Sequence, residues 1–378
     1  MDFDLTPEAV ALRDLSAEIL GDHSGPTRWS ALSAQGVWCD ADAYRALAQA
    51  GILGAALPES VGGAGLDFLE LHQVLEQVGV TNAQVPVWES LVLGADPIVR
   101  HGSLDQQQRH LPGVVAGDSI LTAALIESGG HDRLSPRTRA VLAGSWTLSG
   151  VKTQVPMGLQ ADAVLVSASV ADGRTGMFLV DPNAPGVTWQ EQHSVSGRPV
   201  AQLTLVDAPA EPVGHLGAGV LEDALLRAEA GLAALQAGVC AKALRMTADY
   251  TSGREQFGQP LAAFQAVRQR LADAYIDVEA VRLTSLQAAW MLSSGDPGAA
   301  RAVAIAKYWA CEAGHRVLHS AHHLHGGMGI DLDYELHRYY RFGKYIEMTL
   351  GTARDQLRTL GRARAGSVAA DREAVDHG

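Results

Sequence analysis

Two segments, together with the pair Phe264-Gln265, carry residue types that suit the binding of a diphosphate. The first is Arg254–Gly258, and the second is the run His-Gly-Gly-Met-Gly at residues 325–329. A guanidinium offers a forked set of donors to phosphate oxygens. Paired glycines let main-chain N–H groups approach an anion that a Cβ atom would keep away. These residues predict a phosphate-binding surface between packed helices.

A plainer interpretation of the same residues stays open. Arg254 could be a solvated surface cation, and Gly326-Gly327 could merely end a helix. The chemistry of a reaction is less well provided for than the binding of a phosphate, so a catalytic group has to be sought along the rest of the chain as well.

Composition excludes several classes of protein. The chain has 378 residues, 47% of them hydrophobic and 19% charged, which suits two or three folded domains. A net charge of −13 argues against a nucleic-acid partner and against an anionic membrane surface. The first twenty residues lack a signal-peptide pattern, and the longest apolar stretch, residues 231–241, is about half of the ~20 residues that span a bilayer.

The cysteines and histidines predict neither disulfides nor a metal site. The three cysteines stand at 39, 240 and 311 in no paired or metal-like spacing, which fits a reducing cytoplasm. None of the fourteen histidines belongs to a His-Glu-x-x-His motif. We therefore expect a cytoplasmic protein without a metal.

Periodicity divides the chain into three parts and a tail. Residues 1–118 show a helical pattern, with an N-cap at Thr6 and a second helix that Gly79 should end. Short β-like runs fill residues 119–218, with a hairpin over residues 145–152. Long alanine-rich helices return over 219–365, and residues 366–378 are expected to form a flexible tail.

This order predicts an α+β protein: an N-terminal helical domain, a small central antiparallel β domain and a C-terminal four-helix bundle. It excludes doubly wound dinucleotide folds, because strands and helices alternate in those.

The chain resembles the acyl-CoA dehydrogenase family over nearly its whole length. The resemblance rests on residues 57–65 (Leu-Pro-Glu-Ser-Val-Gly-Gly-Ala-Gly), on Tyr250 to Gly258 with its Arg-x-x-Phe-Gly ending, on Phe264-Gln265, and on residues 325–329. It implies an FAD-dependent α,β-desaturation of an acyl-CoA thioester, with an electron-transfer flavoprotein as electron acceptor. In that reaction a carboxylate removes the α-proton while a hydride leaves for the flavin.

The resemblance also implies a flavin site shared between two subunits. One subunit holds the flavin ring, and its neighbour grips the diphosphate and adenosine end. This chain keeps the neighbour-donated residues, with His323 where the family usually has glutamine. The implied FAD-binding residues are Arg254, Gln256, Phe257, Gln265, His323, Gly326 and Gly327.

The ring-holding residues depart from the family pattern. Where the family has a tryptophan and a hydroxyl residue beside the ring, this chain has Gln154-Val155-Pro156, and proline offers no amide hydrogen. The acyl-CoA loop corresponds to Glu127–Asp132 and is shorter. The usual catalytic glutamate, which precedes a Gly-Thr pair, is replaced by Leu350, and leucine cannot take a proton.

No other residue clearly replaces that base. The position used by some family members on an earlier helix falls on Ala228. Glu229 lies next to it, but successive helical residues point about 100° apart, so it is only a candidate. Glu347, one turn before Leu350, is interpreted as structural, pairing with a nearby Arg or Lys.

The stretch from His325 to Tyr339 resembles the smaller subunit of actinobacterial heterotetrameric acyl-CoA dehydrogenases, which act in steroid side-chain degradation by β-oxidation. The leading hypothesis is an α2β2 complex with a homologous partner that supplies the glutamate. One alternative is a homotetrameric acyl-CoA dehydrogenase with Glu229 as base. Another is a non-catalytic subunit that binds a CoA ester or stabilises its partner.

Overall fold

A computed structural model describes the chain over residues 5–129 and 132–376, with side chains up to residue 365. Its first part is helical. The helices are α1 (Pro7–Asp22), α2 (Pro26–Ala34), α3 (Ala41–Gln49), α4 (Phe68–Thr81), α5 (Asp96–His101) and α6 (Leu104–Ala116). A wide π-helical segment, Trp88–Ala95, precedes α5, and a short 3-10 turn lies at Glu59–Val61.

Side-chain caps fix where several of these helices begin. Thr6 Oγ1 accepts the N–H of Ala9 at 3.1 Å, as its position before Pro7 predicts. Reciprocal capping boxes start α4 and α6. The predicted end of α4 at Gly79 is wrong, because the helix continues to Thr81 and Asn82 ends it in the left-handed conformation.

Gly79 serves packing rather than termination. A Cβ atom built on it would lie 2.1 Å from the carbonyl oxygen of Leu235, and one built on Gly238 would lie 2.0 Å from that of Glu76. The two glycines therefore let the backbones of α4 and the next long helix approach closely.

The middle of the chain forms one seven-stranded sheet. The strands are β1 (Leu121–Ala124), β2 (Arg139–Ala143), β3 (Ser145–Pro156), β4 (Ala163–Ser169), β5 (Thr175–Val180), β6 (Val187–His193) and β7 (Pro199–Val213). The order is β1-β4-β2-β3-β7-β5, with β6 on β7 and a further β4–β5 pairing that closes the sheet on itself. The predicted hairpin over residues 145–152 is wrong, because these residues lie in the single strand β3, and the hairpin turn stands at Gly144 between β2 and β3. Most pairings are antiparallel, but β1 runs parallel to β4, and β2 meets β4 in a single parallel pair.

The last part is a helical bundle. It contains α7 (Val220–Gly253), α8 (Gln265–Ser293), α9 (Ala299–His325), α10 (Leu336–Met348) and α11 (Ala353–Asp376), with a two-stranded hairpin of β8 (Glu255–Gln256) and β9 (Gln259–Pro260) after α7. Helix α11 extends the four-helix bundle and runs past residue 365, where a flexible tail was expected. Alanine, arginine and glutamate in this stretch favour helix.

Helix α7 lies at the centre of this bundle. It is long and apolar enough to cross a membrane by length and composition, but 89% of its most apolar window is buried inside the protein. Burial on all sides is typical of a core helix. One apolar core joins residues from α3 and α4 to residues of α7, α9 and α10. A separate smaller core fills the closed sheet.

Candidate functional site

The arginine segment lies at the surface where α7 ends. Arg254 is the C-terminal cap of α7, its side chain is exposed, and within the described residues its guanidinium has no hydrogen-bond or ion-pair partner. Gln256 and Gln265 are exposed as well. These three side chains keep their donors free for a ligand or a second molecule.

Phe257 occupies the tip of the β8–β9 hairpin. Phe257 and Gly258 form the two-residue turn, with φ values of 55° and 77°. Positive φ at both positions suits the twist of a tight hairpin, but it is unfavourable for a residue with a large side chain. The ring is 93% exposed and touches Phe264 edge-on, with 6.3 Å between ring centroids. The hairpin thus holds an aromatic ring in solvent at a cost in backbone strain.

The glycine segment ends α9. Gly326 has φ 58° and ψ −131°, a conformation that glycine alone adopts readily, and it caps the helix. A Cβ atom on Gly326 or Gly327 would meet nothing within 4 Å, so open space lies over both residues. His323, on the last turn of α9, is exposed. The backbone here can approach a ligand without hindrance.

His325 joins the two segments, a role that the sequence did not reveal. Its buried ring stacks on Tyr250 at 4.3 Å between centroids, and Tyr250 lies four residues before Arg254. Its Nδ1 lies 2.8 Å from the carbonyl oxygen of Ala321, and its Nε2 lies 3.0 Å from the Tyr334 hydroxyl. Burial lowers the pKa of His325. The stacking and the contacts of both ring nitrogens fix the arginine and glycine segments relative to each other. The only sequence signal was its place directly before Gly326.

The ring-side region has a different character, because its own side chains fill it. The space between the π-helical segment, the end of β3 and the end of α10 is a cavity of about 10 Å³. That is room for one water molecule at most. Trp88, Gln154, Pro156, Tyr345 and Leu350 are among the residues that line it.

Leu350, which the family resemblance places where the glutamate usually stands, is buried, with 3% of its surface exposed. Its φ is 53°, in the left-handed region, and the carbonyl oxygen accepts a hydrogen bond from Nη1 of Arg133. Arg133 comes from the loop between β1 and β2, so this loop is bound to the end of α10.

The two candidate base positions on α7 are also engaged. Glu229 is buried, and Arg133 lies 2.7 Å from its Oε1 while Gln356 donates to its Oε2 at 3.1 Å. A base at Glu229 would first have to leave this ion pair. The carbonyl of Ala228 accepts the indole N–H of Trp88 at 3.1 Å, and its methyl side chain has no acceptor.

Glu347 faces away from this region, towards α9. Nζ of Lys344 lies 2.7 Å from its carboxylate, and Nδ1 of His315 lies 3.3 Å from it. The predicted structural pairing with a lysine is confirmed.

The loop that corresponds to the acyl-CoA loop is anchored to the sheet by Glu127. Its carboxylate accepts hydrogen bonds from the N–H and the hydroxyl of Thr138 and from Nζ of Lys152, the last at 2.7 Å. Burial acts to raise the pKa of Glu127, but the bonds from Lys152 and Thr138 outweigh it and lower the pKa to about 2. Burial lowers the pKa of Lys152 to about 8. Gly130 and His131, also within this loop, lie outside the described residues.

Comparison with known proteins accounts for this fold. The chain matches the families described as acyl-CoA dehydrogenase N-terminal domain over residues 6–118 and acyl-CoA dehydrogenase C-terminal domain over residues 216–364. It is 41% identical to acyl-CoA dehydrogenase FadE27 of Mycobacterium tuberculosis, with 96% of this chain and 98% of that protein covered.

Two solved structures of heteromeric complexes are similar as well. The Tcur3481-Tcur3483 steroid ACAD G363A variant has a chain with 43% identity and a TM-score of 0.91, covering 96% of this chain and 99% of that one. A chain of the ChsE4-ChsE5 complex from Mycobacterium tuberculosis has 40% identity and a TM-score of 0.91, covering 97% and 99%.

The residues present fit FAD at one end of the molecule only. The free guanidinium of Arg254 and the open backbone at Gly326 and Gly327 suit a diphosphate. The filled cavity beside Pro156 and Leu350 has no room for a flavin ring. From the matched families and these close relatives, the chain belongs to the acyl-CoA dehydrogenase family of FAD-dependent oxidoreductases.

Proposed function

We propose that this chain is the nucleotide-gripping subunit of an α2β2 acyl-CoA dehydrogenase, whose homologous partner supplies the glutamate base. The observation that carries the proposal is the contrast between its two half-sites. The diphosphate-side residues are exposed and unpaired among the described residues, whereas the ring-side region is filled and holds Leu350 in place of a carboxylate.

In this arrangement the chain's own residues bind and orient rather than transfer protons. Arg254 would donate to the diphosphate, and the N–H groups near Gly326 and Gly327 would approach the same anion. Gln256, Gln265 and His323 add donors around it. Bound FAD supplies the hydride acceptor for the desaturation. The base that removes the α-proton would come from the partner, because the carboxylate of Glu229 is already held by Arg133 and Gln356.

The proposed substrate is a steroid-sized acyl-CoA thioester, on a β-oxidation route in the cytoplasm. Support comes from the similarity to a complex described as a steroid ACAD and from the resemblance to smaller subunits of such enzymes. We propose an electron-transfer flavoprotein as the electron acceptor, as the family resemblance implies.

The flavin-to-chain ratio of the native assembly tests this proposal. The chain is produced alone and together with a homologous dehydrogenase subunit encoded nearby, and flavin absorbance is compared with protein concentration. We expect one flavin per two chains in the complex, and neither stoichiometric flavin nor desaturation with the chain alone.

Other outcomes contradict the proposal in identifiable ways. One flavin per chain with activity in the lone protein would favour the homotetramer, and loss of that activity in Glu229→Gln would identify its base. A native complex without flavin would favour a stabilising subunit. Glu347→Gln is the matched control, since this carboxylate faces Lys344 and His315 instead of the ring-side region.

A further inference from the structure

A second, larger space lies apart from both half-sites. It is a crevice of about 690 Å³ where the α2–α3 region, the β6–β7 hairpin and α10 meet. None of its lining residues belongs to the predicted FAD set, and none lines the small cavity beside Leu350. Its volume falls in the range of small-molecule sites, about 300 to 1,000 Å³.

Arginine dominates the charge of this crevice. Arg198, Arg338 and Arg341 line it, and Glu191 is the sole acidic residue among the lining residues that are described. The whole chain carries a net charge of −13, so a concentration of three guanidinium groups here is a local exception. Guanidinium forks match the geometry of phosphate and carboxylate oxygens.

Aromatic rings hold two of the three guanidinium groups in place. The Arg198 guanidinium lies 4.7 Å from the ring centroid of Trp38 and 4.0 Å from that of Phe342. The Arg338 guanidinium lies 4.9 Å from the Trp29 ring. Arg341 is exposed at the rim, and its Nε donates to the carbonyl of Val195 at 2.6 Å. These contacts fix the donors before any ligand arrives, which reduces the entropy lost on binding.

Several polar atoms of the lining residues are buried without a partner. Within the described part of the chain this holds for Nη2 of Arg198, Nε1 of Trp29 and Oε1 of Gln84. Nη1 of Arg198 does have a partner, the carboxylate of Glu89 at 3.1 Å. Unsatisfied buried donors and acceptors are uncommon in native proteins. Three such groups on residues that line one crevice favour a polar ligand there.

We propose that this crevice binds an organic phosphate of nucleotide size. The three arginines would take the phosphate oxygens, and the indole N–H and the amide groups would take polar atoms of the organic body. A nucleotide fits both the volume and the mixture of cationic, amide and aromatic groups. The proposal is independent of which subunit carries the catalytic base.

The test measures binding of ADP to the FAD-saturated assembly by calorimetry, so that flavin sites are already filled. Orthophosphate and adenosine serve as fragments of the ligand. We expect one ADP per copy of this chain, orthophosphate at least about tenfold weaker, and no measurable binding of adenosine. Equal affinity for ADP and orthophosphate would contradict the proposal that the ligand is of nucleotide size.

Variants locate the binding in this crevice. Arg341→Gln changes an exposed residue and should weaken ADP about tenfold, and the double variant with Arg338→Gln should weaken it further. Arg245→Gln is the matched control, because Arg245 is exposed on α7 and pairs with Asp249. The proposal is wrong if ADP does not bind, or if Arg341→Gln and the double variant bind it as tightly as Arg245→Gln. Flavin content measured in the same samples separates this result from any effect on the flavin site.

Discussion

The diphosphate-side and ring-side regions of this chain differ in how open they are. At the diphosphate side, Arg254 is exposed, and the space over Gly326 and Gly327 is open. At the ring side, Trp88, Tyr345 and Leu350 surround a cavity of about 10 Å³. A buried site that loses its ligand collapses, since empty apolar space forfeits packing energy. A surface that still contacts another molecule keeps its exposed groups.

Apolar exposure supports the same distinction. Phe257 is 93% exposed, Met328 39% and Ile330 68%, all beside the arginine and glycine segments. Apolar side chains clustered around polar binding groups on a surface commonly mark an interface. Most residues around the ring-side cavity are buried within the chain itself, although Gln154 is exposed. Substitutions on the two sides should therefore affect different properties: folding stability on the ring side, and flavin or partner binding on the diphosphate side.

The largest effect is expected for Glu127→Gln on the ring side. The change leaves the fully buried Lys152 ammonium without its carboxylate, which costs about 3 to 5 kcal/mol in comparable buried pairs. Chemical denaturation of the lone chain measures the free energy of unfolding. Glu18→Gln, at an exposed position on α1, is the control and should be neutral. A loss below about 0.5 kcal/mol would show that this pair does not hold the loop.

The same carboxylate predicts a pH dependence. The pKa of Glu127 is about 2 in the folded chain, below its ordinary value of 4.5. The unfolded chain therefore binds more protons between these values, so this contribution to stability is complete above pH 4.5 and is lost as the pH falls towards 2. Unfolding free energies measured across this window should fall more steeply in the natural chain than in Glu127→Gln. Parallel curves would contradict the assignment.

Leu350→Glu should destabilise the chain rather than restore a base. A carboxylate in this filled cavity loses its hydration without gaining a partner, at a cost of about 3 kcal/mol. Leu350→Met conserves volume and should cost less than about 1.5 kcal/mol. Both are compared by thermal unfolding and by an acyl-CoA desaturation assay on the lone chain. If the Leu350→Glu chain desaturates acyl-CoA without a partner subunit, the ring-side region can still open to substrate.

Arg254→Gln should leave folding intact and weaken FAD binding by the complex. Loss of one charge-assisted hydrogen bond to phosphate corresponds to about 1.5 to 3 kcal/mol, or roughly ten- to hundredfold in the FAD dissociation constant. Flavin fluorescence on dilution of the complex measures it. Arg245→Gln provides the control on the same helix. An equal effect of the two substitutions would mean that Arg254 is merely a surface cation.

The smallest effect is expected for Phe257→Ala. The ring has few contacts in the lone chain, so the unfolding free energy should change by less than about 0.5 kcal/mol. Assembly of the complex should weaken by about 1 kcal/mol, measured by analytical ultracentrifugation. Leu104→Ala, 77% exposed on α6, should change neither quantity. If Phe257→Ala lowers the free energy of unfolding but leaves assembly unchanged, the ring stabilises the fold of this chain and not the interface.

Sequence reasoning predicted the order of elements well because periodicity and turn residues act locally. The N-cap at Thr6 is an example. The hairpin over residues 145–152 was misplaced, because these residues form one strand and its turn lies at Gly144. The role of Gly79 was predicted wrongly. A side chain there would collide with the backbone of Leu235 on α7, which is far along the chain and therefore invisible to local patterns. The identity of Leu350 led to the prediction that this position carries no base. It did not reveal that side chains fill the space, since that depends on backbone positions.

The partners of Glu229 illustrate the same limit at the site. Arg133 and Gln356 are distant in sequence from Glu229 and from each other, so no spacing rule joins them. His325 was likewise part of a quoted motif, yet its stacking on Tyr250 needs two helices to end at the same place. The predicted FAD-binding residues themselves stay predictions until flavin is measured.

The close crossing of α4 and α7 at Gly79 and Gly238 has a consequence for how the chain can be divided. Tyr339 donates to the carbonyl of Val80, and Ser293 accepts the N–H of Leu69, so the first and last family-matched segments are bonded to each other as well as packed. Expressing residues 216–364 without residues 6–118 would expose to water the apolar face of α7 that packs against α4. The two matched segments are thus interdependent for solubility. The intermediate sheet is tied in as well, because Leu121, Leu165 and Leu179 belong to the same core as the helices.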